Sequence, residues 1–202
     1  MTVRKEGGAE LCANDIYELF QGDFKNIYGD LIVVTANKPV QIIFQLEAAF
    51  THMAVASLNN ECSQENLKAA LKHIQRASLD AAKMLWLAYK DRLDNIISDS
   101  NLRMFCINCP EDELIKAYSK AENLAEEARR CELNHIGVDP TKSLTLYYEA
   151  SIALKEVFEK IDHNKLKNFK KFNLFYKAKE YLIGFIIGIF ASVIATFIYS
   201  FT

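Results

Sequence analysis

The sequence predicts an all-α protein: an antiparallel helical bundle, followed by a basic amphipathic segment and one C-terminal transmembrane helix. The chain of 202 residues contains only 7 Gly and 3 Pro, which leaves few turn residues for a many-stranded β-fold. Half of its residues are hydrophobic, so a substantial core can form. Apolar residues recur at helical spacing through most of the chain, and residues 181–199 carry no charge.

Four long segments are predicted as the helices of the bundle. Pro39, Pro110 and Asp139 mark the starts of three of them, because proline suits a first helical turn and aspartate caps one. The segment 63–98 has two apolar stripes, which is typical of a helix at the centre of a bundle. The four segments are 40–59, 63–98, 110–133 and 140–161.

Two shorter segments precede these helices. Residues 14–28 are predicted as a short helix capped by Asn14. Residues 30–39 contain the only strand-like run, and one strand cannot form a sheet. We interpret them as a buried extended segment, or as a helix end stopped by residues 37–39. In the helix that follows, the apolar stripe predicted to face the core consists of Ile43, Leu46, Phe50, Met53 and Leu58.

The net charge of −2 conceals two regions of opposite sign. Residues 1–164 have a net charge of −7, and residues 165–202 have a net charge of +5. An acidic body is a poor platform for broad nucleic-acid binding. The charge and apolar patterns divide the chain into a cytosolic helical bundle (1–162), a basic amphipathic juxtamembrane segment (163–180) and a C-terminal anchor (181–202).

The juxtamembrane segment alternates lysines with aromatic residues. A helix of this kind lies comfortably at a membrane surface, where its lysines attract anionic lipid. The uncharged residues that follow just reach the length needed to cross a bilayer. Because the lysines precede this span, the positive-inside rule places the body in the cytoplasm, and the chain is predicted to be tail-anchored. The predicted membrane-surface residues are Lys165, Lys167, Lys170, Lys171, Lys177 and Lys179.

Small residues recur at every fourth position of the predicted span, at Gly184, Gly188, Ser192 and Thr196. Positions four apart share one face of a helix, and a ridge of small residues lets two backbones approach closely in lipid. We therefore expect the predicted span to pack against another helix, most simply the same helix of a second copy of the chain. Small residues are also common in membrane helices, so a plain anchor is the alternative.

The cysteines provide one candidate metal site. The five cysteines and the absence of an apolar N-terminal run favour a body in a reducing cytosol. Cys106, Cys109, Cys131 and His135 have the spacing of a three-thiolate, one-imidazole zinc site. The predicted helix between the two halves would hold them about 30 Å apart, so buried free thiols are the simpler interpretation. We predict no metal and no cofactor.

The segment from Arg130 to His135 reads Arg-x4-His. In this motif the chain resembles the HEPN family of small α-helical bundles, many of which are ribonucleases of toxin and antiviral systems. The resemblance implies a composite site built from two copies, in which Arg130 binds phosphate and His135 acts as acid or base on a ribose hydroxyl. The alternative is an ordinary arginine at a helix end and a histidine in a loop.

A polar stripe lies within the predicted central helix. His73, Arg76, Asp80 and Lys83 share one helical face, and the spacing of Arg76 and Asp80 allows an ion pair. Such a stripe is either a solvated face or, if partly buried, a polar network or ligand site. Glu47 and His52 of the preceding helix could join it.

Together these patterns predict a self-associating membrane protein without enzymatic activity. It would be an effector or assembly component at the bacterial inner membrane, and the HEPN resemblance implies a role in phage defence or abortive infection. One alternative is a membrane-tethered ribonuclease that uses Arg130 and His135. A second is a scaffold that recruits a soluble protein partner to the membrane.

Overall fold

The computed structural model describes residues 10–58, 63–134 and 140–199, and for residues 170, 173, 176, 177, 190 and 192–199 it describes the backbone alone. The described chain is almost entirely helical, which confirms the predicted all-α bundle. A π-helical turn at Phe20–Phe24 joins the first two helices. The helices are α1 (Ala13–Leu19), α2 (Lys25–Thr35), α3 (Val40–Leu58), α4 (Ser63–Ser98), α5 (Ser100–Cys106), α6 (Glu111–Asn134), α7 (Thr141–Glu159) and α8 (His163–Tyr199).

Helix α4 is the centre of the bundle. Helices α2, α3 and α7 pack around it, and α6 packs mainly on α7. Both of its predicted apolar stripes are buried, since Ile74 and Leu85 belong to one and Leu79 and Leu93 to the other. A helix buried on several sides gains most of its stability from tertiary packing. The prediction that this helix is central is therefore confirmed.

The strand-like segment forms the second half of α2. Ile27, Leu31 and Val34 lie on one face of this helix and are buried in the core. Packing of this kind compensates for the modest helix propensity of β-branched residues. Ala36 ends the helix in the left-handed conformation, with φ of 53°. The helix-end interpretation is thus confirmed, and the extended-segment interpretation is wrong.

Helix α3 turns a different face to the core from the one predicted. Leu46 and Met53 of the predicted stripe do contact the core, but Phe50 and Leu58 are exposed. The residues of α3 that contact the core are alternately four and three positions apart: Ile42, Leu46, Ala49, Met53 and Ala56. The prediction failed because it favoured the largest apolar residues, whereas two alanines form the contact and let α3 approach α4 closely.

Of the predicted helix caps, one is wrong and one lies outside the described residues. α1 begins after Cys12, whose backbone N–H donates to Asp15 Oδ2 at 2.9 Å, so Asn14 is inside the helix and is not its cap. Asp15 was the better signal, because an acid at the third helical position completes a capping box. Pro140 directly precedes the first residue of α7. The predicted cap, Asp139, lies outside the described residues.

Helix α5 was not predicted from the sequence. Its cap is Asp99, whose carboxylate accepts hydrogen bonds from the backbone N–H groups of Asn101 at 2.9 Å and Leu102 at 3.2 Å. The helix packs against the first turns of α8, where the rings of Phe105 and Phe169 stack with centroids 6.0 Å apart. α5 therefore buttresses the base of α8.

Helix α8 runs without a break through both the predicted juxtamembrane segment and the predicted span. Asp162 caps it by accepting from the backbone N–H groups of Asn164 and Lys165, each at 3.0 Å, and these bonds lower the pKa of its carboxyl. Just before this cap, Ile161 forms an isolated antiparallel bridge with Ile107. The juxtamembrane segment is thus not a separate helix free to lie flat while the span crosses a bilayer.

In the juxtamembrane part of α8, Leu166 and Phe169 pack against the core of the bundle, and the described side chains further along the helix are exposed. Leu174 and Phe175 are exposed, as are Lys171 and Lys179. Because Phe175 lies four residues from each of these lysines, aromatic and basic side chains share the same face. Because the side chains of residues 170, 173, 176 and 177 lie outside the described ones, the amphipathic character of residues 163–180 stays a prediction.

Candidate functional site

The polar stripe predicted on α4 occupies one face of the helix but divides between two neighbours. His73 bonds to Gln45 of α3, whereas Lys83 bonds to Glu132 of α6. Between them, Arg76 and Asp80 form the predicted ion pair at 3.5 Å. The stripe therefore forms two polar clusters at opposite ends, and its four residues do not converge on one ligand site.

The first cluster is a pair of stacked histidines between α3 and α4. The ring centroids of His52 and His73 are 5.4 Å apart and their planes differ by 17°. Nδ1 of His52 lies 2.9 Å from Oδ1 of Asn66, and Nδ1 of His73 lies 2.7 Å from Oε1 of Gln45. An amide oxygen only accepts, so each neutral imidazole carries its proton on Nδ1. His52 joins the stripe as predicted, whereas Glu47 is exposed.

The second cluster lies where α4 faces α6 and α7. Nζ of Lys83 is 2.5 Å from Oε1 of Glu132 and 5.8 Å from the centre of the Tyr147 ring. Asp80, one turn earlier, is half-buried, and burial raises the pKa of its carboxyl. Trp86 contacts the same Tyr147 ring, and its indole Nε1 is buried without a hydrogen-bond partner in the described part of the chain.

A third polar network was missed by the sequence analysis. Nζ of Lys90 donates to Glu122 at 2.6 Å, to Tyr118 at 2.8 Å and to Asp94 at 3.2 Å. The Tyr118 hydroxyl in turn donates to Asp94. Burial alone would lower the pKa of Lys90, but these hydrogen bonds outweigh it and raise the pKa. Only the four-residue spacing of Lys90 and Asp94 was visible in the sequence. The network joins α4 to α6, and its role is structural.

The candidate zinc ligands do not come together. Most of the unbroken helix α6 lies between Cys109 and Cys131, which holds the two thiols about 30 Å apart along its axis. Burial raises the pKa of the Cys106 and Cys109 thiols, which favours the neutral form over the thiolate that binds metal. Within the described residues, no three His, Cys, Asp or Glu side chains are grouped to hold a metal ion. The fourth candidate, His135, lies outside those residues.

The structure places only one half of the Arg-x4-His motif. Arg130 lies near the end of α6, with 73% of its side chain exposed, and its Nη2 pairs with Glu126 Oε1 at 2.6 Å. A phosphate would have to displace this carboxylate. His135 lies outside the described residues, so the composite ribonuclease site stays a prediction.

The most unusual surface of the molecule is on α8. From Tyr181 to Ile189 every large apolar side chain is exposed. Positions in this stretch point in all directions around the helix axis, since successive residues are rotated by about 100°. These exposed side chains are Tyr181, Leu182, Ile183, Phe185, Ile186, Ile187 and Ile189.

The glycines of the predicted ridge occupy the remaining side of this stretch. A Cβ atom added to Gly184 or Gly188 would meet no atom within 4 Å, so the ridge is open to an incoming helix. The side chains of Ser192 and Thr196, which would continue the ridge, lie outside the described side chains. Of the predicted membrane-surface lysines, Lys170 and Lys177 also lie outside them, and the exposed ones are Lys165, Lys167, Lys171 and Lys179.

Two further findings bear on identity and location. Among the residues that the structure describes, no helix is both long enough and apolar enough to span a membrane. No family model, curated protein or solved structure matches this chain.

Proposed function

We propose that this protein is anchored in a membrane through α8, self-associates along that helix, and holds its helical bundle on the cytoplasmic side. The observation that carries this proposal is the exposure of large apolar side chains around α8 from Tyr181 to Ile189. A helix that is apolar on all sides is stable only inside a protein core or a bilayer. The bundle does not cover this part of α8, so the bilayer is the environment that fits.

The composition on either side of this stretch supports the same proposal. In the sequence, uncharged residues continue from Tyr181 to Ser200, which is the length of a membrane span. The exposed lysines lie on the bundle side, where each one close to an anionic leaflet contributes about 1 kcal/mol of attraction. By the positive-inside rule the bundle is then cytoplasmic.

Self-association is supported by the open glycine ridge. Large apolar side chains flank Gly184 and Gly188, so a second helix that docks there would contact both backbone and side chains. In lipid, van der Waals contact of this kind drives helices together. A second copy of α8 is the simplest occupant, because it brings the same ridge and the same flanking residues.

The membrane proposal is tested by changing one exposed residue of α8 to a charge. Ile187→Arg places a charge in the predicted span, which costs about 3 kcal/mol at the centre of a membrane helix, or roughly a hundredfold in insertion. Ile115→Arg is the matched control, because Ile115 is an exposed apolar residue on α6 of the bundle. The measurement is the fraction of full-length protein that floats with vesicles after an alkaline carbonate wash.

We expect the wild type and Ile115→Arg to float and Ile187→Arg to remain at the bottom of the gradient. If Ile187→Arg floats as well as the wild type, α8 is not an integral anchor. If the wild type itself is washed off by carbonate, the protein is at most a peripheral membrane protein.

The wider role, as an effector or assembly component in phage defence at the bacterial inner membrane, is supported by the HEPN resemblance alone. Replacement of residues 181–202 by a foreign single-span anchor separates this role from that of a scaffold. A scaffold that recruits a soluble partner keeps its activity with any anchor. An effector that acts through its own span loses activity, because the glycine ridge is gone.

A further inference from the structure

The histidine pair lies where α3 packs on α4. Helix α3 makes its main contacts with α4 and buries only Ile42, Ala49 and Ala56 completely. Much of its other face is exposed, including Phe44 and Val55. Helix α3 is thus attached to the bundle mainly through one face and one neighbouring helix. The polar contacts that hold α3 on α4 are therefore well placed to control its docking.

The pair is built with local two-fold pseudosymmetry. On each helix one histidine and one amide residue are seven positions apart, Gln45 with His52 on α3 and Asn66 with His73 on α4. Each imidazole bonds across to the amide of the other helix, and the two rings stack between these bonds. The arrangement accommodates two neutral imidazoles, whereas two imidazolium rings in this contact would place like charges side by side.

We propose that His52 and His73 form a pH-sensitive clamp, which holds α3 on α4 at neutral pH and loosens it in mildly acidic conditions. The first proton added to the pair goes onto Nε2 of one ring and leaves the Nδ1 hydrogen bond intact. The second proton creates two cations whose ring centres are 5.4 Å apart in a partly buried site. Like charges at that distance repel, and separation of the helices relieves the repulsion.

The charged groups around the pair do not neutralise it. Within the part of the chain that the structure describes, neither imidazole forms an ion pair with an acidic side chain. On α4, Arg76 is paired with Asp80, and on α1, Asp15 accepts from the backbone of Cys12. The other charged side chains of α3, and those of α4 as far as His73, are exposed to solvent: Glu47 on α3, and Glu65, Lys68 and Lys72 on α4.

The direction of the pH effect follows from the folded state. Burial lowers the pKa of His73 below its ordinary value of 6.5, and the neighbouring His52 lowers it further. A histidine whose pKa is lower in the folded state than in the unfolded chain binds protons preferentially when unfolded. Its contribution to stability is present above pH of about 6.5 and is lost as the pH falls toward the lowered pKa.

The experiment compares thermal unfolding of the full-length chain in detergent at pH 7.5 and pH 5.5. The variants are His52→Gln, His73→Gln and the double variant, since glutamine keeps a hydrogen-bonding group but cannot become cationic. His163→Gln is the matched control, because His163 contacts the Phe158 ring at the base of α8 and is not part of the pair.

We expect the fall in melting temperature between the two pH values to be roughly twice as large in the wild type and His163→Gln as in either single variant. The effects of the two single variants should be less than additive, because removal of either imidazole removes the repulsion, and the double variant then loses in addition only the effect of burial on His73. An equal fall in the wild type and the double variant would overturn the clamp. Effects of the two single variants that simply add would also overturn it, since independent histidines behave that way.

If a glutamine variant does not fold, ¹⁵N NMR of the wild-type imidazoles decides the question. A clamp gives protonation of one ring that depends on the state of the other, with the pKa of His73 below its ordinary value. Two independent titrations near the ordinary value would overturn the proposal.

Discussion

Helices α4 and α8 are almost equal in length, at 36 and 37 residues, yet their surroundings are opposite. α4 carries many charged residues and has twelve buried positions. α8 is the more apolar helix beyond Lys179, and none of its described side chains is buried. The comparison teaches that apolar content alone does not identify a core helix. α4 is stabilised by the helices around it, whereas the described part of the bundle leaves the large apolar side chains of α8 from Tyr181 to Ile189 uncovered.

The same substitution in the two helices gives the largest expected difference. Leu85→Ala on α4 removes a side chain that is 2% exposed and should lower the free energy of unfolding by about 2–5 kcal/mol. Leu182→Ala on α8 removes an exposed side chain and should change the stability of the bundle by less than about 0.5 kcal/mol. Urea unfolding in detergent measures both. Equal losses would mean that α8 packs against the bundle after all.

A smaller effect is expected from the glycine ridge. Gly188→Ile fills the open side of α8 and should weaken self-association about tenfold or more, because the backbones can no longer approach closely. Ile189→Val is the control, since it changes an exposed residue next to the ridge without filling it. The mass of the detergent-solubilised protein, followed against concentration, reports the change. An oligomer unaffected by isoleucine would leave α8 as a plain anchor.

The hydrogen-bond network between α4 and α6 predicts that loss of the Tyr118 hydroxyl lowers the free energy of unfolding by about 1 kcal/mol. Tyr118→Phe removes the hydroxyl that bonds Lys90 and Asp94. A hydrogen bond usually contributes about 1 kcal/mol of net stability. Burial and the bond to Asp94 raise the pKa of Tyr118 to about 12. The folded state therefore prefers the protonated phenol, and the stabilisation is lost as the pH rises from about 10 to about 12.

Ultraviolet titration of the phenols tests this alkaline effect. The difference between the wild type and Tyr118→Phe should show one phenol that ionises near pH 12. If the phenol that the variant lacks ionises near pH 10 instead, the hydroxyl is not held in the network.

The smallest effect is expected at Arg130. Its ion pair with Glu126 is exposed, so Arg130→Ala should change the free energy of unfolding by less than about 0.5 kcal/mol. This variant therefore also tests the ribonuclease alternative cleanly. RNA cleavage by the wild type that is abolished in a fully folded Arg130→Ala would replace the non-enzymatic proposal.

The long helices were predictable because their signals are local. Pro39 and Pro110 precede α3 and α6, and the double stripe of α4 identified the central helix. The face of α3 was not predictable in the same way. Ala49 and Ala56 form its contact with α4, and an alanine reveals its burial only through the helix that packs on it.

For the polar sites, the sequence predicted which residues share a face of one helix but not their partners on neighbouring helices. The four residues of the α4 stripe lie on one face, as their spacing required. Their partners, Gln45 on α3 and Glu132 on α6, are set by the relative register of packed helices, which periodicity within one helix does not specify. Tyr118 was missed for the same reason, because its partner Lys90 is 28 residues away in the sequence.

The junction at Asp162 gives α8 the properties of a lever. The carboxylate cap, the bridge between Ile107 and Ile161 and the stacking of Phe105 on Phe169 fix the base of the helix to the bundle without a flexible linker. A helix of 37 residues is about 55 Å long, so a rotation of about 10° at its base moves the far end by about 10 Å. Small rotations of the bundle would thus become large displacements at the far end of α8, and force applied there would be transmitted to α5 and α7.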